Sequence, residues 1–179
     1  RNIQKLLEWQ NLEYFKGIGI SYTHPEKLFI ENVKKFPNAV IHSIVGILNY
    51  NDIAYLKNNG LKLLLLGYKT KGRGEDYLQE TSKEIERNTS MLEIELPRIF
   101  DYFDVVSFDN LAIEQLSFKE KLTPEEFEMF YMGNEGQFTF YIDIVDKTFA
   151  RSSMDLDEFP LMNSVDGMFQ YIRTKYKVV

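Results

Sequence analysis

The chain has 179 residues, 44% of them apolar and 15% aromatic, which fits one packed domain, or a domain with a small appendage, and excludes a disordered chain. Its formal charge of -6 comes from 27 Asp and Glu against 21 Lys and Arg, and the densest basic run, Lys69 to Arg73, holds three charges, so the phosphate-neutralising face of a nucleic-acid binder is missing. The absence of cysteine excludes disulfides, a thiolate nucleophile, Cys-ligated zinc and a Cys-ligated cluster, and no apolar run reaches the roughly 18 residues of a membrane span.

Residues 2–13 carry Ile3, Leu6 and Leu7 at helical spacing. Arg1 opens the chain inside this amphipathic pattern, so a longer parent protein is expected. Residues 17–22 read as a strand, and Thr23-His24-Pro25-Glu26 as a capping box that starts a helix with Phe29, Val33 and Phe36 inward. Residues 39–45 are the next strand. A short helix from Asp52 ends at Asn58-Asn59-Gly60, where glycine suits a left-handed cap. Leu61–Leu66 is apolar almost throughout, as in a parallel strand buried on both faces. A loop through Gly72-Arg73-Gly74 leads into a helix over 82–100, with Pro97 obscuring its end. Residues 104–108 form the fourth strand, and 111–116 a short helix. Thr123-Pro124-Glu125-Glu126 is a second capping box. Gly133 to Gly136 turns, residues 137–143 and 148–152 alternate as a hairpin, and a last helix covers 165–176.

Strands alternating with helices predict right-handed crossovers and a parallel sheet. About four such strands are too few for a closed eight-stranded barrel. The expected architecture is α/β: a half of a TIM-barrel-like curved parallel sheet of about four strands with outer helices, over 1–120. A C-terminal helix, β-hairpin and helix follow over 121–179. An exposed apolar first strand hints at further strands supplied from elsewhere.

Ligands of parallel α/β folds sit at the carboxyl ends of the strands. The residues there are Ser21, Tyr22, Thr23 and His24, then His42, Ser43, Gly46 and Asn49, then Gly67, Tyr68 and Lys69, then Ser107, Asp109, Asn110 and Glu114. His42, inside a strand, reads first as a core histidine, and His24 as a solvated one. Two histidines and no cysteine predict no metal site. Gly72-x-Gly74 lacks the third glycine and the spacing of a dinucleotide fingerprint.

Gly19-Ile20-Ser21, His42-Ser43-Ile44-Val45-Gly46 and Leu65-Leu66-Gly67-Tyr68 resemble the later ligand-binding strands of radical S-adenosylmethionine enzymes. The segments 108–116 and 130–139 resemble a phage and bacterial subgroup of that family. The resemblance implies S-adenosylmethionine as cofactor. Ser21 would reach the ribose hydroxyls, Ile44 and Gly46 would stand in the adenine-packing motif, and Leu66 and Gly67 would offer backbone to the adenine edge. His42 and Asn49 depart from that motif, which has Gly and Glu there. His42, Asn49, Lys69, Asp109, Asn110 and Glu114 are the substrate-cavity candidates. The CxxxCxxC loop is absent, so an iron–sulfur cluster is expected only from a missing N-terminal half of the parent chain, and this chain alone has no radical activity. The implied compartment is the cytoplasm. Two other readings stay open: a non-catalytic interaction module derived from the same fold, and an independent enzyme using Asp109 or Glu114 as acid or base.

Overall fold

The computed structural model describes residues 3–70, 73–131 and 133–178, without the side chains of 73, 78–80, 129 and 130. It divides into two units, Arg1–Phe118 and Lys119–Val179. The Lys71 and Gly72 of the basic loop, and Met132 of the second family-like segment, lie outside the described residues.

The first unit runs α1 (Ile3–Asn11), β1 (Ile18–Ser21), α2 (Phe29–Val33), β2 (Ala39–Ile44), α3 (Tyr50–Leu56), β3 (Lys62–Leu66), α4 (Arg73–Tyr102), β4 (Val105–Phe108) and α5 (Asn110–Gln115). The four strands pair in sequential order, β1-β2-β3-β4, and every pairing is parallel. The register lines up Ile20, Ile41, Leu63 and Val106 on one face, and Ser21, His42, Leu64 and Ser107 on the other.

The two faces differ in cover. Ile41, Leu63 and Leu65 are fully buried in one core with Ile53 and Leu56 of α3, Leu92, Leu96 and Ile99 of α4, and Ala112 of α5. Burial of such side chains stabilises by about 1.5–3 kcal/mol each. The opposite face has no buried residue: Val40, His42, Leu64 and Leu66 are half-buried, while Ser21, Ile44, Val105 and Ser107 are exposed. The strands therefore alternate buried and open, and the expectation that Leu61–Leu66 is buried on both faces is corrected.

Two local expectations change as well. Thr23 and Glu26 form no capping box, because α2 starts only at Phe29, behind Leu28, with no side-chain cap. The segment is instead tied down by Tyr55, whose hydroxyl donates to the Glu26 carbonyl at 2.6 Å, a contact no local pattern encodes. Helix α4 starts at Arg73, nine residues before its expected start, and is kinked at Thr81, whose hydroxyl donates to the Tyr77 carbonyl at 2.7 Å. It runs on through Pro97.

A short helix, α6 (Phe118–Lys121), lies at the boundary between the units. The second unit contains α7 (Pro124–Phe130), β5 (Tyr141–Asp143), β6 (Thr148–Ala150), β7 (Phe159–Pro160) and α8 (Val165–Tyr176). Thr123 forms the predicted box: its hydroxyl accepts from the Glu126 amide at 3.2 Å, and Glu126 accepts from the Thr123 amide at 2.9 Å. The hairpin β5–β6 gains a third antiparallel strand, β7, which the sequence does not predict. Phe149, Met168 and Ile172 are the buried centre of this unit, with Phe140, Phe159, Leu161 and Tyr176 packed around them.

Candidate functional site at the open sheet face

The open face of the parallel sheet carries a polar row framed by aliphatic side chains. Ser21, His42 and Ser107 stand in one register row with Leu64 between the last two. The His42 ring lies over Gly19, so closely that a β-carbon at that position would collide with it. The glycine is what leaves room for the imidazole against the neighbouring strand. Ile44, 39% exposed, stands one residue pair beyond His42, beside Leu66. Ser21 also borders a groove of about 480 Å³ along β1, whose walls include Ile3, Leu6, Phe29 and Val33 and whose rim holds Thr23 and His24. Thr23 Oγ1 is 3.0 Å from His24 Nδ1, and His24 Nε2 is 3.3 Å from Glu26, all three side chains being exposed.

Behind the strand ends, the polar groups are bonded to one another. Asn49 is the N-cap of α3, accepting from the amides of Asn51 (2.9 Å) and Asp52 (3.2 Å), while Asp52 returns a bond from the Asn49 amide at 3.0 Å. Buried Asp52 also accepts from the Tyr22 hydroxyl at 2.8 Å. Burial, together with that carboxylate, pushes the Tyr22 phenol well above its ordinary value near 10.0. Asp109 is the N-cap of α5 and accepts from two amides with one oxygen, Gly67 at 2.8 Å and Ala112 at 2.7 Å. Gln115 grips Tyr68 on both sides, accepting from its amide and donating to its carbonyl, each at 2.8 Å.

Of the residues singled out in the sequence, Ser21, His42 and Ile44 meet on the open face, with Leu66 beside them. Gly46 and Gly67 do not border open space. Gly46 is buried beneath Ile85 and Thr89 of α4, and its carbonyl accepts from the Asn88 side chain at 3.0 Å. Gly67 is buried against Leu111, which occupies the place a β-carbon would take. Asn49 and Asp109 act as caps. Asn110 is half-buried in the first turn of α5, and Glu114 and Lys69 are exposed. The Tyr22–Asp52 bond and the Gln115 clamp escaped the sequence reading. Each joins residues at least 30 positions apart, and neither has a local signature.

No protein-family model, no curated protein and no solved structure matches this chain. Among the described residues, no group of three or more His, Cys, Asp or Glu side chains could hold a metal ion, and no helix is long and apolar enough to cross a membrane.

Proposed function

We propose that this chain is the adenosine-contacting, substrate-cavity half of a radical S-adenosylmethionine enzyme, a cytoplasmic half-barrel whose open sheet face receives the cofactor. The observation that carries the reading is the one-sided sheet. Sequential, all-parallel strands with helices on a single face are the construction of a barrel wall, and the free face is then the barrel interior.

The residues present fit the organic cofactor in part. The Ser21 hydroxyl is exposed and able to bond ribose hydroxyls, and Ile44 offers an apolar surface beside it for a base. The amides of Gly67 and Tyr68 are already bonded to Asp109 and Gln115, so an adenine edge would be met by other groups. The iron–sulfur cluster does not fit this chain, which has no cysteine to ligate it. Its ligands, and the reductive chemistry they support, would belong to a second polypeptide segment. The part of this chain is to bind, to orient and to keep water from the reacting atoms.

A second reading, a non-catalytic interaction module, is favoured by one observation: Asn49, Asp109 and Gln115 are all committed to holding the fold together. Titration of isotopically labelled protein with S-adenosylhomocysteine, followed by amide and side-chain resonances, separates the two. Saturable shifts centred on Ser21, His42 and Ile44 are expected. Ser21→Ala should weaken binding roughly 2- to 10-fold, the effect of one neutral hydrogen bond. Absence of saturable shifts, or shifts confined to the second unit, would overturn the adenosine reading in favour of the module.

A further inference from the structure

We infer that Asn59-Gly60 is a modification site gated by the fold: an amide that hydrolyses to an acid when the end of α3 opens, and that cannot close the turn again afterwards. The site lies at the far end of α3 from Asn49 and uses neither the open face nor the edges of the sheet.

The first observation is chemical. This is the only Asn-Gly pair in the sequence. Asparagine is thermolabile, and a following glycine has no β-carbon to keep its amide nitrogen from the side chain. Gly60 is exposed, with a φ of 64°, and the nearest atoms to the place of a β-carbon are the Asp104 carboxylate oxygens, at 3.6 and 3.9 Å. In the reaction the Gly60 nitrogen bonds to Cγ of Asn59, the Cγ–Nδ2 bond breaks, and Nδ2 leaves as ammonia with the proton of the Gly60 amide. Water then opens the cyclic imide at either carbonyl, leaving aspartate or isoaspartate.

The second observation is the lock. Asn59 is half-buried, and its Nδ2 donates to the carbonyls of Tyr55 (3.3 Å), Leu56 (3.2 Å) and Lys57 (3.0 Å). Carbonyls at the end of a helix lack amide partners within it, and this side chain takes their place. While the bonds hold, the side chain is kept on the helix and is not free to turn onto the Gly60 nitrogen. The turn is also tied on both sides. The Asn58 amide donates to the Tyr102 carbonyl and the Asp104 amide to the Leu61 carbonyl, each at 2.9 Å, and Leu56 and Leu61 are core residues. Attack therefore waits on local opening.

The third observation is what the product lacks. A carboxylate accepts and does not donate, so neither acid can restore the three bonds. It also sets a negative charge against the carbonyl end of a helix, where negative charge is unfavourable, beside the glycine that faces Asp104. An opening that ends in hydrolysis is thus irreversible.

The test is a time course of the intact chain in mildly alkaline buffer, followed by peptide mass mapping, with a parallel sample held unfolded in guanidinium chloride. In the unfolded chain Asn59 should lose ammonia ahead of every other asparagine. In the folded chain the loss at Asn59 should be roughly tenfold or more slower, and guanidinium below the unfolding transition should speed it. The aged folded fraction, and Asn59→Asp, should unfold at a lower denaturant concentration than the fresh protein. Asn59→Ser has no amide to lose and should stay unchanged at that position. Equal rates in the folded and unfolded chains would overturn the lock. An Asn59 that is not the first asparagine to react in the unfolded chain would overturn the site. An aged fraction with the midpoint of the fresh protein would overturn the loss of the latch, and this fraction decides alone if Asn59→Asp does not fold.

Discussion

At the scale of single residues, the Tyr22–Asp52 bond is the interaction whose removal is most informative. The phenol is 5% exposed and the carboxylate 5%, and the bond ties the end of β1 to the capping box of α3. Tyr22→Phe leaves Asp52 its bond from the Asn49 amide, so the loss should be about 1–3 kcal/mol at neutral pH. The pH dependence has a definite sign. A phenol held above its ordinary 10.0 keeps its proton in the folded state after the unfolded chain has released one. Its stabilisation is complete below pH 10.0 and is lost above it, with a slope approaching 1.4 kcal/mol per pH unit for one proton. Urea midpoints measured on wild type and Tyr22→Phe should therefore converge as the pH rises from 10 towards 11.5. Parallel curves would mean that the Tyr22 proton is not linked to folding. Little of this was legible in the sequence. The resemblance makes Asn49 the replacement of a ligand-binding Glu, whereas the structure makes it the N-cap of an Asn-x-x-Asp capping box, with the same two bonds as Thr-x-x-Glu. The role of Asp109 as N-cap was within reach, since an Asp behind an apolar strand and before a short helix is a standard start. Its second bond, to Gly67 across 42 residues, was not.

At the scale of elements, periodicity served well where the structure is regular and poorly where it is punctuated. The four parallel strands and α8 stand where alternation and helical spacing put them. Strand β7 was missed because Phe159-Pro160 is two residues long and ends in proline, at the edge of its sheet. The start of α4 was missed because Gly74 in its first turn resembles a loop residue. Pro97 is the most instructive element-scale feature, since α4 runs on for five residues beyond it to Tyr102. Proline there can give no amide to the carbonyl of Glu93, and its ring crowds that carbonyl. Buried Leu92, Leu96 and Ile99 hold the helix against the sheet on either side of the interruption, so packing overrides propensity. Pro97 itself is exposed, and no core contact is lost with it. Pro97→Ala should stabilise the chain by about 1–3 kcal/mol, less than the full helix penalty because the unfolded chain also gains freedom. Chemical denaturation reads this directly. A neutral or destabilising outcome would mean that the backbone held by Pro97 is itself required by the core.

At the scale of the whole molecule, the alternation of strands and helices was enough to predict a parallel sheet, because crossover handedness and strand adjacency leave few topologies. It was not enough to show which face of the sheet stays open. Val40, Leu64 and Leu66 are as apolar as the residues on the buried side, and only the packed helices distinguish the two. The division into two units has a thermodynamic consequence. Among the described residues, the first unit holds a core cluster of eighteen buried side chains, the second a cluster of three. A unit of about 60 residues with so small a centre is marginal on its own. Unfolding should therefore occur in two steps, with the second unit opening first. The single tryptophan, Trp9 in α1, belongs to the first unit, so its fluorescence is blind to the early step that far-ultraviolet ellipticity detects. Phe149→Ala removes the largest buried side chain of the second unit, a loss of about 3–5 kcal/mol that the small core cannot absorb. The variant should lose the early ellipticity change and the ring-current shifts of Met168 and Ile172. Its Trp9 midpoint should remain that of the wild type. A Trp9 midpoint that falls together with the ellipticity would instead make the two units one cooperative body, each drawing its stability from the other.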